Sequence, residues 1–129
     1  MPPSTQAGRF VTSADGTAIG FDVFGAGGPP LIVASGAFNT RATTEPLATP
    51  LTSRLTVFNY DRRGRGESGD TPPYAVEREI EDIDALITAA GGRAAVFGYS
   101  SGATLALKAR GPWPCDQQAG ALRPVVRRR

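Results

Sequence analysis

The residues best suited to chemistry are a serine and the two glycines around it. In Gly98-Tyr99-Ser100-Ser101-Gly102 the central serine completes the pattern G-x-S-x-G. An apolar run precedes the pattern and a run of good helix formers follows it, which indicates a turn from a buried strand into a helix. Such a turn strains the serine backbone, lifts its hydroxyl clear of the sheet and needs small flanking residues. We expect a nucleophile beside a helix N-terminus, where an amide N–H faces negative charge.

Ser100 also has a simpler interpretation, in which the glycines only end a strand and Ser100 caps the helix that follows. The sequence contains no histidine, so it offers no imidazole as general base or metal ligand. Its single cysteine, Cys115, forms no intramolecular disulfide and no metal cluster. We therefore expect no metal and no organic cofactor.

A second polar, glycine-rich stretch covers residues 61–69 and contains Arg62, Arg63 and Arg65. Three arginines among glycines are compatible with a phosphate or RNA contact. We favour a structural role, in which they order the loop through hydrogen bonds to carboxylates and backbone, because no stacking aromatic residues accompany them. The net charge of +2 points the same way, because residues 111–129 carry +3 and the remainder −1.

The elements that must position these residues alternate along the chain. Asp15-Gly16 is a strong hairpin turn between the first two strands. One helix, over Tyr74–Ala90, has Val76, Ile80, Ile83 and Ile87 on its core face and acidic residues, including Glu79 and Asp82, on the other. We predict strands at Arg9–Ser13, Thr17–Phe24, Leu31–Ala34, Leu55–Tyr60 and Ala94–Phe97, with further helices within Asn39–Arg54 and Ala103–Ala109.

This order predicts an α/β fold. It has a mostly parallel sheet of about five strands, an antiparallel first hairpin and helices on both faces. Ligands of such sheets bind beyond the carboxyl ends of the strands, where residues 35–38, 61–69 and Ser100 all lie. We expect a disordered N-terminus over residues 1–7, one domain over 8–110 and a disordered Pro/Arg-rich basic tail over 111–129.

From about Phe10 to Lys108 the chain resembles the amino-terminal half of an α/β-hydrolase of the esterase, lipase and haloperoxidase-like branch. The stretch of residues 60–69, Tyr-Asp-Arg-Arg-Gly-Arg-Gly-Glu-Ser-Gly, is very close to the family's loop after its fourth strand. Residues 98–102 resemble the family's nucleophile elbow. Residues 31–37 resemble the strand that normally ends in His-Gly, although Ser35 stands in the place of that histidine.

The resemblance implies that Ser100 attacks a carbonyl carbon of an ester-like small molecule to form an acyl-enzyme. The backbone N–H groups of Ala37 and Ser101 would form the oxyanion hole. Tyr99 and Phe38 either line the substrate pocket or pack against neighbours. The family places its catalytic acid and histidine after the serine, and neither follows Ser100 here.

After Arg110 the sequence shows neither periodicity nor kinship with the family, and we expect a truncated chain that ends in an out-of-frame or unrelated segment. A natural basic tail is the alternative. Without a histidine the chain alone is expected to be inactive. The last strand would become an exposed sheet edge, open to self-association.

Two other functions remain open at this stage. One is a non-catalytic module that binds a partner through the exposed sheet edge. The other, a nucleic-acid binder, is disfavoured by the charge distribution. No apolar run is long enough to span a membrane, and residues 1–16 lack the apolar centre of a signal peptide. We expect a cytoplasmic protein without a membrane or nucleic-acid partner.

Overall fold

The structure, a computed structural model, describes residues 9–25, 27–36, 39–110 and the backbone of 122–127. Its central feature is one sheet with the strand order β1-β2-β4-β3-β5-β6. The strands are β1 (Arg9–Thr12), β2 (Ala18–Phe24), β3 (Pro30–Ala34), β4 (Thr56–Tyr60), β5 (Arg93–Gly98) and β6 (Leu122–Arg127). The helices are α1 (Arg41–Ala48), a 3₁₀ helix (Thr49–Ser53), α2 (Val76–Ala89) and α3 (Ser101–Arg110).

The centre of the sheet is parallel and its first hairpin is antiparallel. Strand β3 pairs in parallel with β4 on one side and with β5 on the other, whereas β1–β2 and β2–β4 are antiparallel pairs. The predicted α/β fold is thus confirmed. The parallel pairs bring the carboxyl ends of β3, β4 and β5 to one edge, where Ala34 lies opposite Gly98.

Apolar residues fill both faces of the sheet. On one face, Ile32 and Ala34 of β3 belong to a cluster that contains buried side chains of α2 and α3. On the other face, Leu31 and Val33 pack with Ala48 of α1. Because neighbouring residues of a strand point to opposite faces, a uniformly apolar β3 is buried on both sides. The prediction of helices on both faces is therefore correct.

The predicted solvent-facing position of Glu79 and Asp82 is wrong. Both side chains are buried, together with Ile83, Leu86 and Ile87, on the face of α2 that packs on the sheet. Residues 79, 82, 83, 86 and 87 follow the spacing of a core stripe, so the two acids occupy core positions. They are tolerated there because buried arginines pair with them.

The prediction of a tail without regular structure is wrong for residues 122–127. These residues form β6, which pairs antiparallel with β5 and places Arg127 opposite Arg93 and Leu122 opposite Phe97. The register shifts between Ala95 and Phe97, and Pro124 lies in the corresponding part of β6. An edge strand tolerates a proline at such an irregularity because that position need not donate to the ladder.

Strand β6 covers the edge of β5 that the sequence predicted to be exposed. Its backbone supplies partners for N–H and C=O groups that β5 would otherwise present unpaired. Self-association through this edge stays a prediction, and it would require β6 to leave. The predictions for residues 1–7 and for the rest of the tail fall outside the described residues.

Candidate active site

Three polypeptide segments meet beyond the carboxyl ends of the parallel strands. They are Ser35-Gly36 after β3, residues 61–69 after β4, and Tyr99-Ser100 between β5 and α3. Gly36 lies directly against Ser100, because a Cβ added at residue 36 would lie 3.0 Å from the Ser100 Cβ. The structure thus brings together the loops that the sequence predicted to converge.

Ser100 occupies a strained corner. Its φ angle is 56°, and it is the only non-glycine residue with a positive φ in the described part of the chain. The turn is closed by the N–H of Gly102, which donates to the Tyr99 carbonyl at 2.9 Å. Ser100 itself is exposed. A non-glycine residue in this region costs about 1–3 kcal/mol and persists only where the surroundings enforce it.

Glycine is required on both sides of this corner. A Cβ on Gly98 would collide with the backbone carbonyl of Gly102, and a Cβ on Gly102 would collide with the carbonyl oxygens of Ala34 and Ser35. The obstacles are backbone atoms, which cannot rotate away as a side chain can. The first turn of α3 therefore packs on the ends of β3 and β5 at a distance that only glycine permits.

The N-terminus of α3 lies immediately beside Ser100. Ser101 is the first residue of the helix, so its N–H has no intrahelical acceptor. The helix dipole places partial positive charge at the same point, and the two effects together favour an anion. Ala37, the other predicted oxyanion-hole residue, lies outside the described residues, as does Phe38. The ring of Tyr99 packs against that of Phe97, with the centroids 6.3 Å apart.

The loop after β4 is organised around the buried carboxylate of Asp61. Its Oδ1 accepts from the N–H of Arg41 at 2.7 Å, and its Oδ2 accepts from the N–H of Glu67 at 3.0 Å. Gly66 lies against the same carboxylate, where a Cβ would collide with it. The Ser68 hydroxyl donates to the Asp61 carbonyl at 2.6 Å. These bonds fold the loop back onto the end of β4.

Arg62 joins the loop to α2 and to the two other segments. Its Nε and Nη2 donate to the two oxygens of Glu79 at 2.7 and 2.8 Å. Its Nη1 donates to the Ser35 carbonyl at 3.0 Å and to the Ser101 hydroxyl at 2.7 Å. The Tyr74 hydroxyl donates to Glu79 at 2.6 Å and completes the network. The predicted loop-ordering role of Arg62 is confirmed.

Arg63 has a similar buried position but different partners. It donates to both oxygens of Asp82, at 2.9 and 2.6 Å, and to Asp15 of the first hairpin at 2.8 Å. Its loop-ordering role is confirmed as well. Arg65 differs from both, because its buried Nη1 has no hydrogen-bond partner among the described residues.

The network keeps its charges at neutral pH. Burial alone would raise the pKa of Glu79, but the hydrogen bonds from Arg62 and Tyr74 lower it below its ordinary value. The hydrogen bond to Glu79 in turn raises the pKa of Arg62 and that of Tyr74. Nearby Tyr60 is fully buried, and burial raises its pKa. At neutral pH Arg62 and Tyr74 therefore keep their protons, and both oxygens of the ionised Glu79 carboxylate accept hydrogen bonds from them.

The site therefore places an exposed serine hydroxyl at a strained corner beside a helix N-terminus. The sequence holds no histidine, and the described residues contain no group of three side chains suited to a metal ion. In the parts of the chain that the structure describes, no helix is long and apolar enough to cross a membrane. Such an arrangement could hold an acyl group on the exposed hydroxyl of Ser100 and stabilise negative charge on the acyl oxygen at the N-terminus of α3.

Sequence reasoning did not find the contact between Arg62 and Ser101 or the anchoring role of Glu79. The two partners in each pair are separated by 39 and 17 residues, and no local pattern reports contacts over such distances. One signal was available for Glu79: it continues the core stripe of α2 by one turn toward the N-terminus.

Comparison with known proteins identifies the family of the chain. A sequence model described as the alpha/beta hydrolase family matches residues 24–127. The match continues past Arg110, so the prediction that kinship ends there is wrong. The crystal structure of an alpha/beta hydrolase from Sphaerobacter thermophilus DSM 20745 is 60% identical, with a TM-score of 0.77. The alignment covers 79% of this chain and 39% of that one.

Two further solved structures are similar to this chain. The esterase EaEST from Exiguobacterium antarcticum is 26% identical over 79% of this chain and 39% of its own, with a TM-score of 0.72. Epoxide Hydrolase A from Mycobacterium thermoresistibile is 24% identical over 84% of this chain and 34% of its own, with a TM-score of 0.73. At this identity the likeness shows a shared fold and nothing about activity. The matched part of the chain thus spans well under half the length of these relatives.

Proposed function

Because the chain belongs to the alpha/beta hydrolase family, we propose that it carries the nucleophile half of a serine hydrolase that acts on small ester-like acyl substrates. The observation that supports this best is the corner at residue 100, where a serine has a φ of 56° and an exposed side chain. A serine that served only as a helix cap would have an ordinary β-region conformation. The strain at Ser100 is what presents a hydroxyl to a substrate.

In the proposed reaction Ser100 Oγ attacks the substrate carbonyl carbon while a base removes the hydroxyl proton. The carbonyl oxygen becomes an oxyanion, which the amides of Ser101 and Ala37 stabilise. The C–O bond to the alcohol then breaks and the alkoxide leaves with a proton, so that Ser100 carries the acyl group. Water attack on that ester returns free Ser100 and the carboxylic acid.

The base must come from outside these 129 residues, which contain no histidine. We therefore propose that the chain alone is inactive or nearly so, because loss of a triad member costs on the order of 10⁴–10⁶ in rate. The similar esterase supports the substrate class. The alternative of a binding module that uses the edge of β5 has less support, since β6 occupies that edge.

Chemical rescue tests this function. The chain is mixed with p-nitrophenyl acetate, with and without free imidazole as a substitute base, and p-nitrophenolate release is followed. We expect a Ser100-dependent rate that rises with imidazole and is absent in Ser100→Ala. Ser53→Ala, at an exposed serine of the 3₁₀ helix, is the matched control and should behave like the parent chain. Equal rates for the parent and Ser100→Ala at every imidazole concentration would reject the proposal.

A further inference from the structure

The guanidinium of Arg62 touches both segments that carry the proposed oxyanion-hole amides. Its Nη1 lies 3.0 Å from the carbonyl oxygen of Ser35 and 2.7 Å from Ser101 Oγ. The Ser35 carbonyl belongs to the peptide group that carries the Gly36 N–H, one residue before Ala37. Ser101 is itself the other predicted donor. One nitrogen atom therefore bridges the end of β3 and the start of α3.

The remaining nitrogens fix the direction of that bridge. Nε and Nη2 form two parallel hydrogen bonds to Glu79, which belongs to α2. A guanidinium is planar, so a side chain held at Nε and Nη2 cannot rotate to move Nη1. The Arg62 side chain is only 6% exposed, so it is packed among protein atoms and not surrounded by solvent.

Arg63 provides an internal comparison. It is also buried and also pairs with both oxygens of an α2 carboxylate, that of Asp82. Its other bonds in the described part of the chain go to Asp15 and to the Arg78 carbonyl. Arg63 thus helps to order the loop without a contact to residue 35 or 101. The bridge made by Arg62 Nη1 is additional to that task.

We propose that Arg62 is a positioning residue of this site, whose Nη1 holds the backbone after β3 and the start of α3 at a fixed separation. Glu79 of α2 anchors the guanidinium, and the hydroxyl of Tyr74, which precedes α2, donates to Glu79. The consequence for chemistry rests on the proposed function of Ser100, because only an oxyanion hole needs this separation to be constant. The Ser101 hydroxyl is then a structural acceptor that couples the hole to the loop after β4.

The first test measures the coupling without any reaction. Ser101→Ala removes the hydroxyl that accepts from Arg62 but leaves the residue 101 amide and the pair with Glu79 intact. Thr104→Ala, an exposed hydroxyl three residues later on α3, is the matched control. Backbone amide order parameters of the ¹⁵N-labelled chain are compared, with Ser101→Thr included because it retains the hydroxyl.

We expect the order parameters of Gly36 and residue 101 to fall together in Ser101→Ala, from about 0.85 toward 0.6. They should stay near the parent values in Ser101→Thr and Thr104→Ala. An unchanged Gly36 amide in Ser101→Ala would overturn the proposal, because it would show that the two segments are held independently.

The second test asks whether the coupling matters for chemistry. In the imidazole-supported reaction, Ser101→Ala should acylate Ser100 about 10-fold to 100-fold more slowly than the parent, the loss typical of a small misplacement, and Ser101→Thr should recover most of the rate. Equal rates in Ser101→Ala and the parent would reject a positioning role. If the parent itself is not acylated, the proposed function fails, and the amide measurement still decides whether Arg62 couples the segments.

Discussion

Arg62 meets Glu79 edge to edge, with its Nε 2.7 Å from Oε1 and its Nη2 2.8 Å from Oε2. The two side chains are only 6% and 3% exposed, so this is a buried ion pair rather than a surface one. Breaking such a pair on one side leaves a charge without compensation in a poorly solvated place, which makes single substitutions costly. The pair also connects α2 to the strand ends that surround Ser100.

Glu79→Gln should destabilise the fold strongly. We expect a loss of about 3–5 kcal/mol in the free energy of unfolding, because the buried Arg62 guanidinium then lacks its counter-charge. Urea denaturation measures this loss. The matched control is Glu77→Gln on the exposed face of α2, where about 1 kcal/mol or less is expected. Losses of equal size at the two positions would contradict the burial of Glu79.

Acid should unfold the protein through its paired carboxylates. Burial alone would raise the pKa of Glu79, but its hydrogen bonds from Arg62 and Tyr74 lower it, and the hydrogen bond from Arg63 lowers the pKa of Asp15. The unfolded chain therefore binds these protons first as the pH falls. Stability is fully present above about pH 4.5 and decreases below it, toward the lower folded-state values. Urea midpoints between about pH 7 and pH 3 measure the decrease.

Asp22 provides a control, because its pKa is shifted in the opposite direction to those of Glu79 and Asp15. Burial raises its pKa, so the folded protein takes up this proton before the unfolded chain does and gains stability as the pH falls through the folded-state value. Replacing it in Asp22→Asn removes that gain, and the loss of stability in acid should become steeper than in the parent. A parent midpoint that stays constant or rises below about pH 4 would contradict the assignment for Glu79 and Asp15.

The glycines beside Ser100 should not tolerate alanine. In Gly98→Ala and Gly102→Ala the new methyl group would collide with backbone carbonyl oxygens, so the end of the sheet and α3 must separate. We expect each variant to lose about 1–3 kcal/mol or more, measured by urea denaturation. Gly69→Ala is the matched control, because a Cβ there lies 3.5 Å from the nearest atom, an ordinary contact. Equal stability of all three variants would contradict the close approach.

At position 100, the usual order of stability between glycine and alanine variants should be reversed. At most positions glycine is less stable than alanine by about 0.5–1 kcal/mol because it loses more backbone entropy on folding. At a φ of 56° the alanine Cβ is strained and glycine is not. We therefore expect Ser100→Gly to be at least as stable as Ser100→Ala in thermal unfolding. A clear loss in Ser100→Gly relative to Ser100→Ala would show an unstrained corner.

Local signals predicted most of the fold correctly. The uniform apolarity of β3, the Asp15-Gly16 turn and the spacing of Ile83 and Ile87 each reflect a backbone geometry that neighbouring residues determine. The corner at Ser100 was predictable for the same reason, since a serine at a strand end with a glycine two residues away on each side is itself a local pattern.

Other features depend on distant partners and were not predictable in this way. Charge suggested a solvated position for Glu79, although its spacing continues the core stripe of α2, and no local pattern shows that Arg62 lies opposite. The lack of periodicity after Arg110 suggested an irregular tail, whereas β6 forms because β5 offers it unpaired backbone groups. In each case the decisive energy comes from a contact remote in sequence.

The proposed nucleophile is the hydroxyl of Ser100. The most direct measurement is the rate at which an acetyl group from p-nitrophenyl acetate appears on Ser100, located by peptide mass mapping, as imidazole concentration is raised. We predict that the rate rises with imidazole and that Ser100 acquires the group ahead of every other serine, including Ser53. Acetylation of Ser100 no faster than of Ser53 at any imidazole concentration would contradict the claim.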